Sequence, residues 1–287
     1  MEIKFPKNMP ETLRAAHKEA KRRFEQDSSK CYQRHIRELY AETETHAPVT
    51  SLDGAQVRRV SNQEAQNLIW KYEWLHTMGA GTMACYGLFV GEEMLGVACF
   101  GKMGQKIGQI CTGASPEETD QLAKNTACLQ RGACVPWAPS NAASFLIRHA
   151  CRLASIEFGW KIFFAFSDSD AGEVGTVYQA SNWFYTGKVR GRAESSYHAD
   201  YVSLDGSRTL TSYKINHGRK KLMEEFGVPS GVAFRTWLKS KGWRVVKHFA
   251  KGKYVWFEGT RREKELLKKQ CRYAPQPYPK REKTNET

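Results

Sequence analysis

No stretch of the chain approaches the ~18 consecutive apolar residues of a membrane span, and the opening residues, MEIKFPKNMPETLRAAHKEAKRR, contain no apolar signal core. Both absences argue against a membrane class and set the expectation of a cytoplasmic protein. There is no CxxC pair either. Cys31, Cys85, Cys99, Cys111, Cys128, Cys134, Cys151 and Cys271 stand apart, most of them in apolar surroundings, as reduced structural thiols do. A structural zinc site is therefore not expected. Histidine offers no better ligand set. His198 and Asp200 would point to one side of a strand, and His46, His76 and His149 are scattered, so spacing specifies no metal.

What the chain does have is enough apolar residue, 41% of 287, to bury a full core in one large domain or one domain with appendages. It also has a lopsided charge. Residues 205–287 carry 21 Lys or Arg against 8 Asp or Glu, whereas residues 1–204 carry 23 against 22. A near-neutral body with a basic end is the footprint of a protein that holds a polyanion, because each cation at a phosphate releases condensed counterions. The bland reading is a solubilising run. Aromatic and apolar residues are interleaved with the charges, as in FGVPSGVAFRTWLKSKGWRVV and KHFAKGKYVWF, so the segment is expected to fold and to bind nucleic acid.

The organisation reads in order. Pro10 to Glu44 is a charged helical stretch with an imperfect apolar face and a break near Asp27 to Ser29. A strand near residues 55–60 runs into Ser61-Asn62-Gln63-Glu64, a capping box that opens a helix to about Leu75. Residues 85–90 and 94–101 flank Gly91-Glu92-Glu93 as an antiparallel hairpin. A third strand near 127–135 leads through Val135-Pro136-Trp137-Ala138-Pro139-Ser140 to a helix over Asn141 to Phe158. The boundaries follow: an N-terminal helical arm (1–54), a catalytic domain (55–204), a basic extension (205–270) and a flexible tail (271–287).

The densest signal is Phe166 to Gly187, FSDSDAGEVGTVYQASNWFYTG. The apolar run Trp160 to Phe166 suits a strand buried on both faces. Ser167, Asp168 and Asp170 follow where it stops, with Asp170 able to cap the helix bearing Tyr178 and Gln179. In an open α/β sheet the crevice beyond the strand carboxyl ends is the usual ligand site, so these are functional candidates, or else simply a capped turn. Strand, helix, hairpin, strand, helix, strand, helix, strand is the layout of the GNAT-type N-acetyltransferase fold: α+β, a mixed central sheet flanked by helices. In that fold the loop before the helix at Asn141 is glycine-rich and cradles a pyrophosphate through its N–H groups. Here it has no glycine, and Pro136 and Pro139 each lack a donor. Acetyl-CoA is thereby disfavoured.

Three blocks, in the same order, carry a resemblance to a family. They are Arg131 to Ser144 (RGACVPWAPSNAAS), Ser167 to Trp183, and the basic segment from His217-Gly218-Arg219-Lys220 to Lys251-Gly252-Lys253-Tyr254. Over about Arg58 to Phe257 the chain resembles the Mom DNA-modification proteins of bacteriophages. The resemblance implies a GNAT-like enzyme that converts adenine in double-stranded DNA to its N6-carbamoylmethyl form and shields phage DNA from restriction. That product holds the atoms of glycine plus the adenine nitrogen, so it implies a glycyl donor such as glycyl-tRNA.

Roles can be set against this chemistry. Adenine's amine is a weak nucleophile, and Asp168 and Asp170 are candidate proton acceptors for it, or turn caps. Tyr178 stands where GNAT enzymes often place a tyrosine that protonates the leaving group, or is a core tyrosine. Ser140, Asn141 and Ser144 open a helix and are candidates for oxyanion stabilisation, and Ser167 at the strand end is a further catalytic candidate. Pro136, Trp137, Asn141, Gly175 and Gln179 are the candidate donor-binding residues. Arg219, Lys220, Lys221, Lys251, Lys253 and Tyr254 are expected on nucleic acid. An extruded adenine would need a stacking surface, for which Trp74, Trp137, Trp183 and Tyr185 are available. Two other readings remain: a non-catalytic nucleic-acid-binding protein with a GNAT-like body, and a CoA-dependent N-acetyltransferase.

Overall fold

The computed structural model describes residues 5–79, 81–102, 124–188, 199–248, 251–271 and 273–281. His198 and Cys111 lie outside them. The chain divides into two compact units, Lys188–Lys251 and a larger body made of Ile3–Gly187 with Gly252–Thr287.

The body is built on a seven-stranded sheet. Its strands are β1 (Gln56–Val60), β2 (Thr82–Val90), β3 (Glu93–Gly101), β4 (Thr126–Cys134), β5 (Ile162–Ser167), β6 (Phe184–Lys188) and β10 (Gly252–Phe257). They lie in the order β1-β2-β3-β4-β5-β10-β6. The β1/β2, β2/β3, β3/β4 and β5/β10 pairs are antiparallel and β4/β5 is parallel, so the sheet is mixed, as the expected α+β fold requires. Helix α3 (Asn62–Tyr72) starts at the predicted capping box: Ser61 Oγ accepts from the Glu64 amide and the Glu64 carboxylate accepts from the Ser61 amide. Helix α4 (Ala142–Phe158) ends at Gly159, which takes the left-handed conformation (φ 71°) that a helix C-cap often needs. Leu146, Ile147, Ala150, Cys151 and Ala154 form its buried stripe.

The N-terminal stretch is two helices, α1 (Glu11–Gln26) and α2 (Tyr32–Thr43), broken where the sequence placed the break. It is not an arm. Ala20, Tyr32, Ile36, Leu39 and Tyr40 are buried in the same core as the sheet, because a helix with this many large apolar side chains must cover them.

The basic extension departs from its expected boundaries in the same way. Its strand Gly252–Phe257 is the sixth of seven in the central sheet, followed by α8 (Arg261–Gln270). What folds separately is Lys188–Lys251. It holds β7 (Asp200–Val202), β8 (Thr209–Leu210) and β9 (Arg244–Val246) in a small sheet, with α6 (Ser212–Glu225) and α7 (Phe234–Ser240). Tyr201, Leu210, Ile215, Phe234 and Leu238 form its own core. The stretch after Cys271 is likewise held, at least to Arg281. The Gln276 amide donates to Tyr185 O (2.8 Å), Tyr278 Oη to Trp183 O (2.9 Å) and the Arg281 guanidinium to Ser29 O (2.9 Å) and Gly172 O (3.2 Å).

Candidate active site

The parallel ladder between β4 and β5 is short: it pairs Thr126 with Ile162, Ala127 with Phe163 and Cys128 with Phe164. Beyond it, β4 continues to Cys134 and β5 to Ser167. The two strands therefore part at their carboxyl ends. A register shift in the β3/β4 ladder, where Cys99 meets Arg131 and Phe100 meets Leu129, leaves Gln130 as an extra residue at that point. An opening between parallel neighbours is where an α/β sheet binds ligands.

The residues predicted at the end of β5 are there. Ser167 and Asp168 are buried, 3% and 8% exposed. Asp168 caps a 3-10 turn over Ser169–Ala171, its Oδ1 accepting from the Asp170 amide at 3.1 Å. Capping therefore belongs to Asp168, not to Asp170 on the following helix. That helix, α5 (Thr176–Ala180), opens instead at Gly175 (φ 70°) without a side-chain cap. Gly175 is needed twice over: its φ is left-handed, and a Cβ there would lie 2.5 Å from the Tyr254 ring.

Around this turn the side chains interlock. The Tyr254 hydroxyl donates to Val174 O (2.6 Å), and the Gln179 amide donates to Val174 O (2.7 Å) and Pro279 O (3.2 Å). Tyr178 packs against Tyr254 and Trp183, with ring centroids 5.0 and 5.5 Å away. Its hydroxyl has no hydrogen-bond partner among the described residues. Burial, with Glu173 nearby, pushes its pKa well up, so it is a phenol at any working pH.

Two carboxylates that sequence reasoning passed over complete the cluster. Glu173 accepts from Trp74 Nε1 (3.1 Å) through one oxygen and from the Asp168 amide (3.0 Å) through the other. Glu73 is 5% exposed. Burial drives its pKa up to about 8, Arg131 opposes that, and Glu173 adds to it. Arg131 is held by the Thr77 carbonyl (2.6 Å) and by the Gln130 carbonyl (2.5 Å). The available signal was an acid set inside the apolar run Tyr72-Glu73-Trp74-Leu75, which cannot be a solvated face. His76 follows it at φ 40°, a strained conformation for a non-glycine residue.

The remaining candidates fall elsewhere. Ser140 and Asn141 are exposed ahead of α4, and the Ser144 hydroxyl donates to Asn141 O (2.9 Å). Trp137 is not a free stacking surface. Its ring lies on His46 at 3.5 Å and 10°, and its Nε1 donates to Glu93 (2.5 Å), while Arg37 reaches Pro136 O (3.4 Å). Trp74, Trp183 and Tyr185 are core residues. Lys253 and Tyr254 are not at a nucleic-acid-facing surface: both are buried, 2% and 0% exposed, with Lys253 Nζ over the Tyr273 ring at 3.8 Å. An inner position in a central sheet explains both. Arg219, Lys220 and Lys221 do sit on α6 of the separate unit, the two lysines exposed, and Lys251 ends that unit.

A model of the Mom protein family matches residues 55–280. The chain belongs to the Mom protein family. Membership supports a DNA-modification function of the acyl-transfer type. No curated protein matches the sequence significantly. Solved structures overlie it loosely. A protein assigned as a phosphinothricin N-acetyltransferase covers 72% of this chain and 99% of its own at 8% identity and TM-score 0.36. The GNAT domain of S. lividans PAT covers 48% and 88% at 15% and 0.29. A Desulfovibrio desulfuricans protein assigned to the GNAT acetyltransferases covers 71% and 98% at 11% and 0.31. At those scores the likeness carries no argument. No helix among the described residues is long and apolar enough to cross a membrane.

Proposed function

We propose that the opening between β4 and β5 transfers a glycyl group to the exocyclic amine of adenine in DNA, yielding N6-carbamoylmethyladenine. The observation that carries the reading is the strand-end cluster itself. A buried carboxylate, Asp168, and a phenol, Tyr178, whose hydroxyl has no partner among the described residues, are fixed around one glycine turn. Acyl transfer from an ester needs two proton movements: one off the attacking amine and one onto the departing oxygen. Asp168 accepts the first. Tyr178, whose high pKa keeps its proton in place, supplies the second. Glu73, with a pKa near 8, is the adjoining group best matched to hold a proton between turnovers.

The atoms balance without an oxidant. The adenine N6 attacks the glycyl ester carbonyl, the ester C–O bond breaks, and the ribose hydroxyl of the donor leaves protonated. The free glycine amine then attacks C6 and the original C6–N6 bond breaks. The group is left attached through the glycine nitrogen, with the old N6 as the terminal amide. Glycyl-tRNA is the donor this chemistry asks for, and two prolines in the loop before α4 argue against acetyl-CoA in that role. Double-stranded DNA is the acceptor, held by the basic unit, and the biological consequence is protection of phage DNA from restriction.

The test is nucleoside mass spectrometry of DNA from cells expressing the protein, beside an Asp168→Ala control. An adenine heavier by one acetamido unit, absent from the control, supports the reading. Unmodified DNA from soluble, folded protein overturns it and favours a binding protein without turnover. Purified protein that modifies DNA with acetyl-CoA alone and ignores glycyl-tRNA overturns the donor.

A further inference from the structure

Helix α5 is five residues long, about 7.5 Å at 1.5 Å per residue, whereas β10 beside it has six residues and runs about 20 Å. The helix therefore covers only part of that sheet face. Tyr254 and Trp256 point to the same side of β10, two residues apart. Tyr178 of α5 packs on Tyr254, while Trp256 instead lines an open groove of about 740 Å3 between α4 and the start of α8.

The groove's charge is mostly positive, Arg148, Arg152, Lys161 and Lys264 against Glu258 and Glu263. Arg148, Arg152 and Ile156 are exposed at i, i+4 and i+8 along α4, one face of that helix. Neither arginine has an acidic or hydrogen-bonding partner among the described residues. The two lysines opposite are partly spoken for: Lys161 lies 3.6 Å from Glu263, and Lys264 lies 3.4 Å from Glu258 and 5.0 Å from the Trp256 ring. A second hollow of about 270 Å3 shares Arg148, His149 and Trp256 with the groove. There the Phe145 and His149 rings stack at 4.0 Å. Unpaired guanidinium groups beside aromatic faces suit a strand whose phosphates and bases are both available. That means single-stranded nucleic acid, since a duplex hides its bases.

Direction selects which single strand. Trp256 pairs with Phe163, Tyr254 with Ala165 and Gly252 with Ser167. Moving from the groove toward Tyr254 is thus moving toward the carboxyl end of β5, where Asp168 and Tyr178 stand. Trp256 and Tyr254 are one side-chain repeat apart, about 6.7 Å. The rim of the second hollow, Ala180–Asn182, ends the helix that bears Tyr178. The two hollows thus lead along the sheet toward the end of β5 that carries the proposed acyl-transfer site.

We propose that the groove between helix α4 and Trp256 binds the unpaired 3′ end of an aminoacylated RNA, with Arg148 and Arg152 on its phosphates and with Trp256 and the stacked Phe145 and His149 rings under its bases. This rests on the acyl-transfer reading above for the identity of the strand, and it is separate from the basic unit that takes duplex DNA.

The test is fluorescence anisotropy with the full chain and three probes: uncharged tRNA, the same tRNA trimmed of its unpaired 3′ nucleotides, and duplex DNA. Intact tRNA is expected to bind at least tenfold tighter than trimmed tRNA. The double reversal, Arg148→Glu with Arg152→Glu, should remove that advantage, lower the salt slope for tRNA by about 1.4 at 0.7 per phosphate, and leave duplex DNA affinity unchanged. The conservative pair, Arg148→Lys with Arg152→Lys, should retain most of it. Should the double reversal fail to fold, Arg148→Gln alone serves for the same comparison. Equal binding of intact and trimmed tRNA, or equal loss for tRNA and duplex DNA, overturns the proposal. If tRNA binding falls as expected and DNA is never modified, the groove stands and the acyl-transfer reading fails. If glycine-dependent modification proceeds undiminished in the reversal, the groove fails and that reading stands.

Discussion

The body and the unit at Lys188–Lys251 differ most in what they do with charge. In its 64 residues the small unit carries 14 Lys or Arg against 5 Asp or Glu, a surplus of +9, while the remaining 223 residues carry 30 against 25, a surplus of +5. The body buries ionisable groups: Glu73, Asp168 and Lys253 are all below 9% exposed. The unit keeps its lysines out, as with Lys220 and Lys221 on α6. Burial strengthens electrostatics, and at Glu73 it raises the pKa, which chemistry needs. Exposure keeps cations free to displace counterions, which affinity for a polyanion needs. The contrast fits the proposed division of labour, catalysis in the body and holding of the polyanion in a separately packed unit spliced between β6 and β10.

The sharpest way to break that proposed division is to remove one of the two proposed proton carriers from the body. Tyr178→Phe or Asp168→Asn should lower DNA modification by about 10²–10⁴, the usual worth of a general acid or base, with duplex DNA affinity unchanged. Parallel loss of affinity would show that the two tasks are not separate. Next in size is Gly175→Ala. A Cβ 2.5 Å from the Tyr254 ring on a backbone at φ 70° should cost about 3 kcal/mol, seen as a lowered melting temperature of the body. A variant as stable as the parent would mean the turn around Tyr178 is soft.

Glu73→Gln probes the buried charge more finely. Its folded pKa, near 8 against a usual carboxyl value of 4.5, is raised, so between those values the folded chain binds more protons than the unfolded one. Stability therefore falls as pH rises through that window. The amide variant should lose this slope and be about 3.5 kcal/mol more stable, relative to the parent, at pH 8 than at pH 5. Denaturant unfolding at both values measures it, and an unchanged slope would remove Glu73 from the cluster.

Much of this was legible beforehand, for local reasons. The capping box at Ser61, the hairpin around Gly91 and the break near Asp27 depend on short-range hydrogen bonding that a few residues encode. The placing of Ser167 and Asp168 at the end of β5, with Tyr178 on the helix beyond, was legible because a strand that ends in acids and glycines signals a loop at the carboxyl edge. Glu73, Arg131 and Glu173 were not found, because what brings them into the cluster is that segments far apart in the chain meet. Lys253 and Tyr254 were misplaced for the complementary reason. A basic, aromatic segment looks the same whether it covers a surface or is strand six of a seven-stranded sheet, and only pairing of Lys253 with Phe166 and Tyr254 with Ala165 decides it.

The smallest expected effect bears on the other side of the division. Arg219, Lys220 and Lys221 are consecutive on α6, so at about 100° per residue they spread over most of a helical turn and no flat surface meets all three. Replacing all three with Gln should therefore remove one or two phosphate contacts, not three. Duplex DNA affinity should drop about tenfold near 150 mM salt, alike for every sequence, and the salt slope should fall by about 1 to 2 at about 0.9 per phosphate. A sequence-dependent loss would instead put base recognition on α6. A loss accompanied by unfolding of the unit would be visible in its own aromatic core, where Phe234 packs on Trp237 and Phe226, as a change in tryptophan emission, and affinity falling with that emission intact ties the effect to charge alone.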